Sequence, residues 1–326
     1  MQHVYFSIRV LLLITVTWLS SACTGSEIGA GVKPTDQPSS PSQTVASPSP
    51  LPATSTQIPL VVESTLPSPQ VSTPLSTDAT TQDLSNYALV GVDPGGELAV
   101  HQAASADSLI AGILPFEATG IRITGKGVEA DGLVWVPIHW ENLDGWVEQA
   151  HLARQVGTLE PAAIQFARQV AWSIKQRDFA LLSTVVHPQK GVRFSPYSYV
   201  HMTERDLVFS ANQVAGFSSD ATTYLWGSYD GSGAPINLTP QDYFNEFVYD
   251  VDFAQPEQLG LNQVLGKGNT INNITEAYPQ AVFLEFYFSG FDVQYGGMDW
   301  RSLRLVFEKI EDVWYLVGIV HDEWTT

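Results

Sequence analysis

The sequence predicts a multidomain chain: a signal peptide, a disordered linker, a small all-β unit, and an α+β domain whose helices pack on a curved antiparallel sheet. Three observations predict it. Composition breaks near residue 85, from Ser, Thr and Pro to a mixture rich in aromatic residues. Short β-rich runs separated by Gly, Asp and Pro turns fill residues 86–156 without a helical period. From residue 158 apolar residues first recur at helical spacing and finally alternate, which is the order of an α+β domain.

Residues 1–22 read as the signal peptide. Arg9 is followed by the apolar run 10–19 and then by Ser20, Ser21, Ala22 and Cys23, the only cysteine of the chain. The run falls short of the roughly 20 apolar residues that a membrane-spanning helix needs. An exported protein with one thiol has no internal disulfide to make, so the cysteine needs another explanation. Residues 19–23 resemble a bacterial lipoprotein signal, in which cleavage precedes a cysteine that then receives a diacylglyceryl group. One departure stands out: the family prefers Leu three residues before the cysteine, and here Ser20 holds that place with Leu19 one step back. Ser20 and Ala22 also fit ordinary secretion, with Cys23 left unmodified. The resemblance implies a protein exported across the membrane, lipid-anchored through Cys23 and facing the extracytoplasmic side. Each buried methylene of the acyl chains would contribute about 0.8 kcal/mol to that anchor.

Residues 23–85 hold half of the twenty prolines and no aromatic side chain. Nothing there can be buried against the entropy of ordering the backbone, so the segment is expected to be a disordered tether. It would reach on the order of 190 Å as polyproline II and roughly 45 Å as a flexible coil.

Charge restricts the partners. Outside the leader and tether, 13 basic residues face 29 acidic ones, and the whole chain carries a net charge of −19. Such a surface repels phosphate, which argues against nucleic acid and against anionic lipid.

In residues 86–156 strands are expected at 98–100, 110–116, 120–124, 134–138 and 145–147. Val100, Leu114-Pro115-Phe116, Trp135-Val136, Gly145-Trp146-Val147 and Leu152 carry a resemblance to the bacterial SH3-like domain. The family's Arg-Ser-Gly after the first strand is replaced by His101-Gln102-Ala103-Ala104. The resemblance implies a binding or spacing module of the cell envelope, directed at wall peptides or proteins. Trp135 and Trp146 read as core, and Trp140, between His139 and Glu141, as a ring with a solvent face available to a ligand.

Residues 157–326 open with a helix. Thr158 can cap it, Pro161 suits its first turn, and Ala163, Phe166, Ala167, Val170 and Ile174 share one face. Further helices are expected at 179–186 and 239–248, the latter capped by Thr239 ahead of Pro240. Strands are expected at 281–288, 302–309 and 313–321, with Glu311-Asp312 as the turn of the last hairpin. The opening helix, the segment Asp178-Phe179-Ala180-Leu181-Leu182 and the spacing from Trp314 to His321 resemble the cystatin-like cone of the nuclear transport factor two-like superfamily. The long stretch between Gly191 and Pro240 exceeds what that fold usually carries.

Site candidates fall in loops and at strand ends: His187, His201, Asp230, Asp250, Asp252, Asp292, Asp299, His321 and Asp322. A His and a carboxylate facing the mouth of a cone could act as general base and partner. The competing reading makes them turn and strand-end residues. No Gly-x-Ser-x-Gly elbow, His-Glu-x-x-His helix or phosphate-binding glycine loop is present. Asp250-Val251-Asp252 and the turn from Tyr229 to Gly233 offer hard oxygen ligands, yet neither matches a calcium loop, and no metal or cofactor is expected. The sequons at Asn237 and Asn273 would matter only in a eukaryotic secretory route. Aromatic residues crowd 224–253 and 283–291, and Trp226 and Tyr229 are the rings expected to line a small-ligand or sugar pocket. The sequence therefore leads to a non-catalytic envelope lipoprotein. It would present an SH3-like module and an α+β domain to a wall component, an envelope protein or a small ligand. The alternative is an exported hydrolase or isomerase built on a His/Asp pair.

Overall fold

The computed structural model describes residues 85–325 apart from Glu204; the expected signal peptide, Cys23 and all of the expected linker but Ser85 lie outside the described residues. The fold is β-rich α+β. Its strands are β1 (Tyr87–Leu89), β2 (Glu97–His101), β3 (Ile110–Pro115), β4 (Arg122–Ile123), β5 (Val128–Ala130), β6 (Leu133–Trp140), β7 (Leu143–Glu148) and β8 (Leu152–Gly157). Helices α1 (Pro161–Lys175) and α2 (Phe179–Thr184) follow, then β9 (Val192–Ser195), β10 (Val208–Phe209), α3 (Ala211–Ala215), β11 (Tyr224–Ser228) and β12 (Pro235–Leu238). The chain closes with α4 (Pro240–Phe247), β13 (Gln258–Leu261), α5 (Ile274–Ala277), β14 (Val282–Phe288), β15 (Arg301–Ile310) and β16 (Val313–Glu323).

An eight-stranded sheet runs β1-β8-β13-β14-β15-β16-β9-β10, a six-stranded one holds β2 to β7, and β11 and β12 pair alone. The large sheet is mixed and not purely antiparallel as expected, because β8 and β13, and likewise β16 and β9, run parallel. Both contacts join strands that are distant in sequence, so no short hairpin could impose the antiparallel direction.

The expected boundary after residue 156 falls inside β8. Alternation explains why that strand belongs to both neighbourhoods: Leu152 enters the core of the six-stranded sheet, and Ala153 enters the main core. β1 behaves the same way, with Leu89 in the smaller core and Ala88, like Val90 just beyond the strand, in the larger. Tyr87 also bridges to Ile121, so β1 has partners on both of its edges.

Local chemistry sets the helices. The apolar face of α1 is buried at Ala163, Ile164, Ala167, Val170, Ala171 and Ile174. Its N-cap is Glu160, without a side-chain bond, and not Thr158, because Pro161 opens the first turn. Asp178 accepts the Leu181 N–H at 2.8 Å to start α2. Thr239 accepts the Asp242 N–H at 3.3 Å to start α4.

Helices α1 to α4 cover one face of the large sheet, where Phe194 is the hub: it meets Phe209, Phe217, Trp226, Tyr243 and Phe244 at centroid distances of 5.7–6.0 Å. The opposite face carries a smaller cluster with Ile274 from α5, Tyr278, Phe283, Val306 and Val320. A Cβ on Gly318 would lie 2.6 Å from the Tyr278 hydroxyl oxygen, so only glycine lets that ring lie on the sheet. No helix among the described residues is long and apolar enough to cross a membrane.

Candidate ligand cleft

The expected His and Asp residues divide among separate environments. His187 follows α2 and is buried. Its Nδ1 accepts the N–H groups of Gln189 (3.2 Å) and Lys190 (3.0 Å), which requires a ring deprotonated at that nitrogen. Burial lowers its pKa, against the opposing pull of Glu308, whose Oε2 lies 4.0 Å from Nε2. The histidine serves as the acceptor that closes a turn.

His321 and Asp322 are consecutive on β16 and therefore face opposite sides of the sheet. His321 lies among the rings of the helical face, 5.9 Å from Phe247. Its Nδ1 is 3.3 Å from the Pro196 carbonyl and its Nε2 is 3.4 Å from Asp250 Oδ1. Complete burial would lower its pKa, yet Asp250 outweighs burial and the net shift is upward. Burial works in the other sense on Asp250, where His321 and Arg301 prevail and lower its pKa. Arg301 Nε reaches Asp250 at 2.8 Å.

Asp252 belongs to a different pair, 2.7 Å from Lys175 Nζ, and hydrogen-bonded by the Tyr249 hydroxyl. Each of these two aspartates thus has a protein cation of its own, and they do not combine as calcium ligands. Among the described residues, no group of three or more His, Cys, Asp or Glu side chains is placed to hold a metal ion. Asp299 accepts the N–H groups of Phe291 (2.9 Å) and Asp292 (2.8 Å), and Asp292 accepts that of Gln294 (2.9 Å), so both are turn formers.

On the other side of β16, Asp322 joins a network centred on Arg304, which is fully buried. Arg304 Nη2 reaches Glu285 Oε1 at 3.0 Å and Asp322 Oδ2 at 2.9 Å, and its Nη1 donates to Ser198 at 3.1 Å. Glu285 also accepts the Leu265 and Gly266 N–H groups at 2.6 and 3.0 Å and the Ser302 hydroxyl at 2.5 Å. Burial raises the pKa of Asp322 even beside Arg304, and the two carboxylates raise that of Arg304 against its burial.

The aromatic expectations separate as well. Trp226 is fully buried, stacked on Tyr243 at 3.8 Å and 14°, and donates to the Leu238 carbonyl at 2.9 Å. It is a core residue and not a ligand contact, because the stacking and the hydrogen bond satisfy both its ring and its N–H. Trp140 is half-buried at the edge of the smaller core, with its N–H on the Thr119 carbonyl at 3.1 Å.

Tyr229, His201 and Asp230 do come together. They line a cleft of about 400 Å³ with Tyr197, Tyr199, Arg205 and Asp206. Asp206 is buried; its Oδ2 is held by the Ser195 hydroxyl and, at 2.9 Å, by the His201 N–H, while burial raises its pKa. Tyr197 and Tyr229 both rest on Phe247, at 5.8 and 6.0 Å. Burial, with Glu246 adding to it, pushes the Tyr229 phenol up to about 12. Tyr199 stands 41% exposed at the mouth, its ring 4.9 Å from that of His201. A larger recess of about 660 Å³ lies where β1 and β8 join the two sheets, but it holds one aromatic ring, Tyr87, and no buried ionisable group.

Four of these cleft residues escape the sequence reading: Tyr197, Tyr199, Arg205 and Asp206. The first two alternate with Ser198 and Val200 in Pro196-Tyr197-Ser198-Tyr199-Val200, but the segment is a bend after β9 and not a strand, so no regular sequence period announces it. Ser198 and Val200 reach Arg304 and the smaller cluster.

No protein-family model matches the chain, and no curated protein matches it. Among solved structures, it is similar to the crystal structure of a DUF4783 family protein from Bacteroides ovatus ATCC 8483. The TM-score is 0.20 and the identity 8%, over 48% of this chain and 94% of that one. A likeness at that level carries no argument about fold or function.

Proposed function

We propose that the chain is an exported lipoprotein of the bacterial cell envelope, acylated at Cys23, whose folded part binds a ligand or partner without chemistry. The cleft between Tyr199, Tyr229 and Asp206 is the observation that carries the binding reading. It combines aromatic walls with a small number of placed polar groups, which is how small-ligand sites are built. A catalyst working through His321 and Asp250 would need its substrate at an imidazole that is fully buried. The run before Cys23 and the proline-rich stretch after it support the anchor and tether. Strands β2, β3, β4, β6 and β7 overlap the expected runs, which supports an SH3-like module as the second presented surface.

Mass spectrometry of the mature amino terminus, with membrane fractionation, tests the anchor. Diacylglyceryl on Cys23, and release of Cys23→Ala from the membrane fraction, are expected. A soluble, unmodified parent protein would sink the anchor and leave a diffusible binder.

A further inference from the structure

The charges around the cleft select the kind of molecule it can hold. A small anion would meet the carboxylates of Asp206 and Asp230, and a small cation would meet the Arg205 guanidinium. A wholly apolar guest would strip water from all three without replacing its hydrogen bonds, at a cost of about 1–3 kcal/mol for each polar group. A guest of no net charge fits this mixture, and the open aromatic face favours one with hydroxyls around its rim, able to donate to carboxylates and accept from a guanidinium, and with a C–H face for a ring.

The walls meet both needs. Tyr199 offers an exposed face at the mouth, steadied by the neighbouring His201 ring. Asp206 is fixed before any ligand arrives, because the Ser195 hydroxyl and the His201 N–H hold one of its oxygens. Such fixing lowers the ordering cost of binding. The turn linking β11 and β12 contributes Gly231 and Gly233 at φ of 74° and 67°, and a Cβ on Gly233 would meet nothing within 4 Å. That wall therefore stands at backbone height. A cleft of about 400 Å³ suits one or two pyranose rings and not a longer chain enclosed.

We infer that this cleft is a carbohydrate subsite for a neutral mono- or disaccharide, stacked on Tyr199 and hydrogen-bonded by Asp206, Asp230 and Arg205. The inference rests on the binding reading of the cleft and is independent of acylation at Cys23.

The test is calorimetric titration of the intact chain in detergent with cellobiose, maltose and N,N′-diacetylchitobiose, and with putrescine and citrate as charged counter-probes. At least one disaccharide should bind, and Tyr199→Ala should weaken it by about tenfold, the loss of one stacking platform. Because Tyr199 is exposed, that variant should keep the parent's circular dichroism and melting temperature. Asp230→Asn should weaken the same sugar by a smaller factor. Absence of binding by all three disaccharides at about 10 mM, a concentration at which even weak subsites fill, overturns the inference. So does binding that Tyr199→Ala leaves unchanged. Tyr199-dependent binding of putrescine or citrate in place of sugar would overturn the carbohydrate class while the binding cleft stood.

Discussion

On one face of the eight-stranded sheet Leu303, Leu305 and Ile319 meet the aromatic rings beneath the helices; on the other, Ser302, Arg304 and Asp322 of the same strands belong to a buried ion network. The same two strands supply both sets by simple alternation. The apolar face is held by many contacts of similar kind, each replaceable at modest cost. The charged face depends on every member being present, because a buried charge that loses its partner keeps its desolvation cost. The network also fixes register: a slip of one residue would carry Arg304 into the aromatic core and leave Glu285 against aliphatic side chains.

Breaking the network should have the largest effect. Arg304→Met leaves Glu285 and Asp322 buried without their cation and should cost about 3–5 kcal/mol in urea unfolding followed by circular dichroism. A loss below about 1 kcal/mol, the level of exposed pairs, would mean that water or a neighbouring donor already serves these carboxylates.

His321 and Asp250 sharpen the comparison, since they place a charge pair on the otherwise apolar face. The folded pKa of His321 lies above its ordinary 6.5, so the stability it adds is complete below that value and is lost as pH rises through the folded pKa. Asp250 is lowered from 3.8, so its share is present above that value and is lost as pH falls through the folded pKa. The melting temperature of the parent should therefore decline on the alkaline side of 6.5, and that of His321→Gln should be flatter there. Parallel curves would refute an imidazolium at this position.

Two smaller effects calibrate the scale. Ile319→Val removes one methylene from the apolar face and should cost about 0.5–1.5 kcal/mol. Lys175→Ala breaks the partly exposed pair with Asp252 and should cost less than about 1 kcal/mol, diminishing further in salt.

Much of this architecture was legible in the chain because its signals are local. The spacing of Ala163, Ala167, Val170 and Ile174 marks α1, Thr239-Pro240 marks the start of α4, and alternation marks β14, β15 and β16. β1, β5 and the six strands β8 to β13 were not anticipated. They are strands of two to six residues, and β8 and β13 owe their place to a parallel pairing about a hundred residues apart in sequence, which no short-range pattern reports. The site was legible in part. Tyr229, His201 and Asp230 stand out by residue type, but only the fold brings them beside Tyr199 and Asp206. The adjacency of His321 and Asp322 misleads for the same reason, since neighbours on a strand are strangers in space.

The seam strand β1 has a mechanical consequence. Any load applied to the described fold from its amino-terminal side enters at residue 85 and reaches β1 first. That strand has only three residues, but it is clasped by β8 along one edge and by Ile121 along the other, while the Arg168 guanidinium holds the Leu89 carbonyl from α1. Arg168 in turn lies 4.2 Å over the Phe116 ring, and burial lowers its pKa to about 10. A pull there would thus be divided at once between both sheets and α1, the longest helix among the described residues.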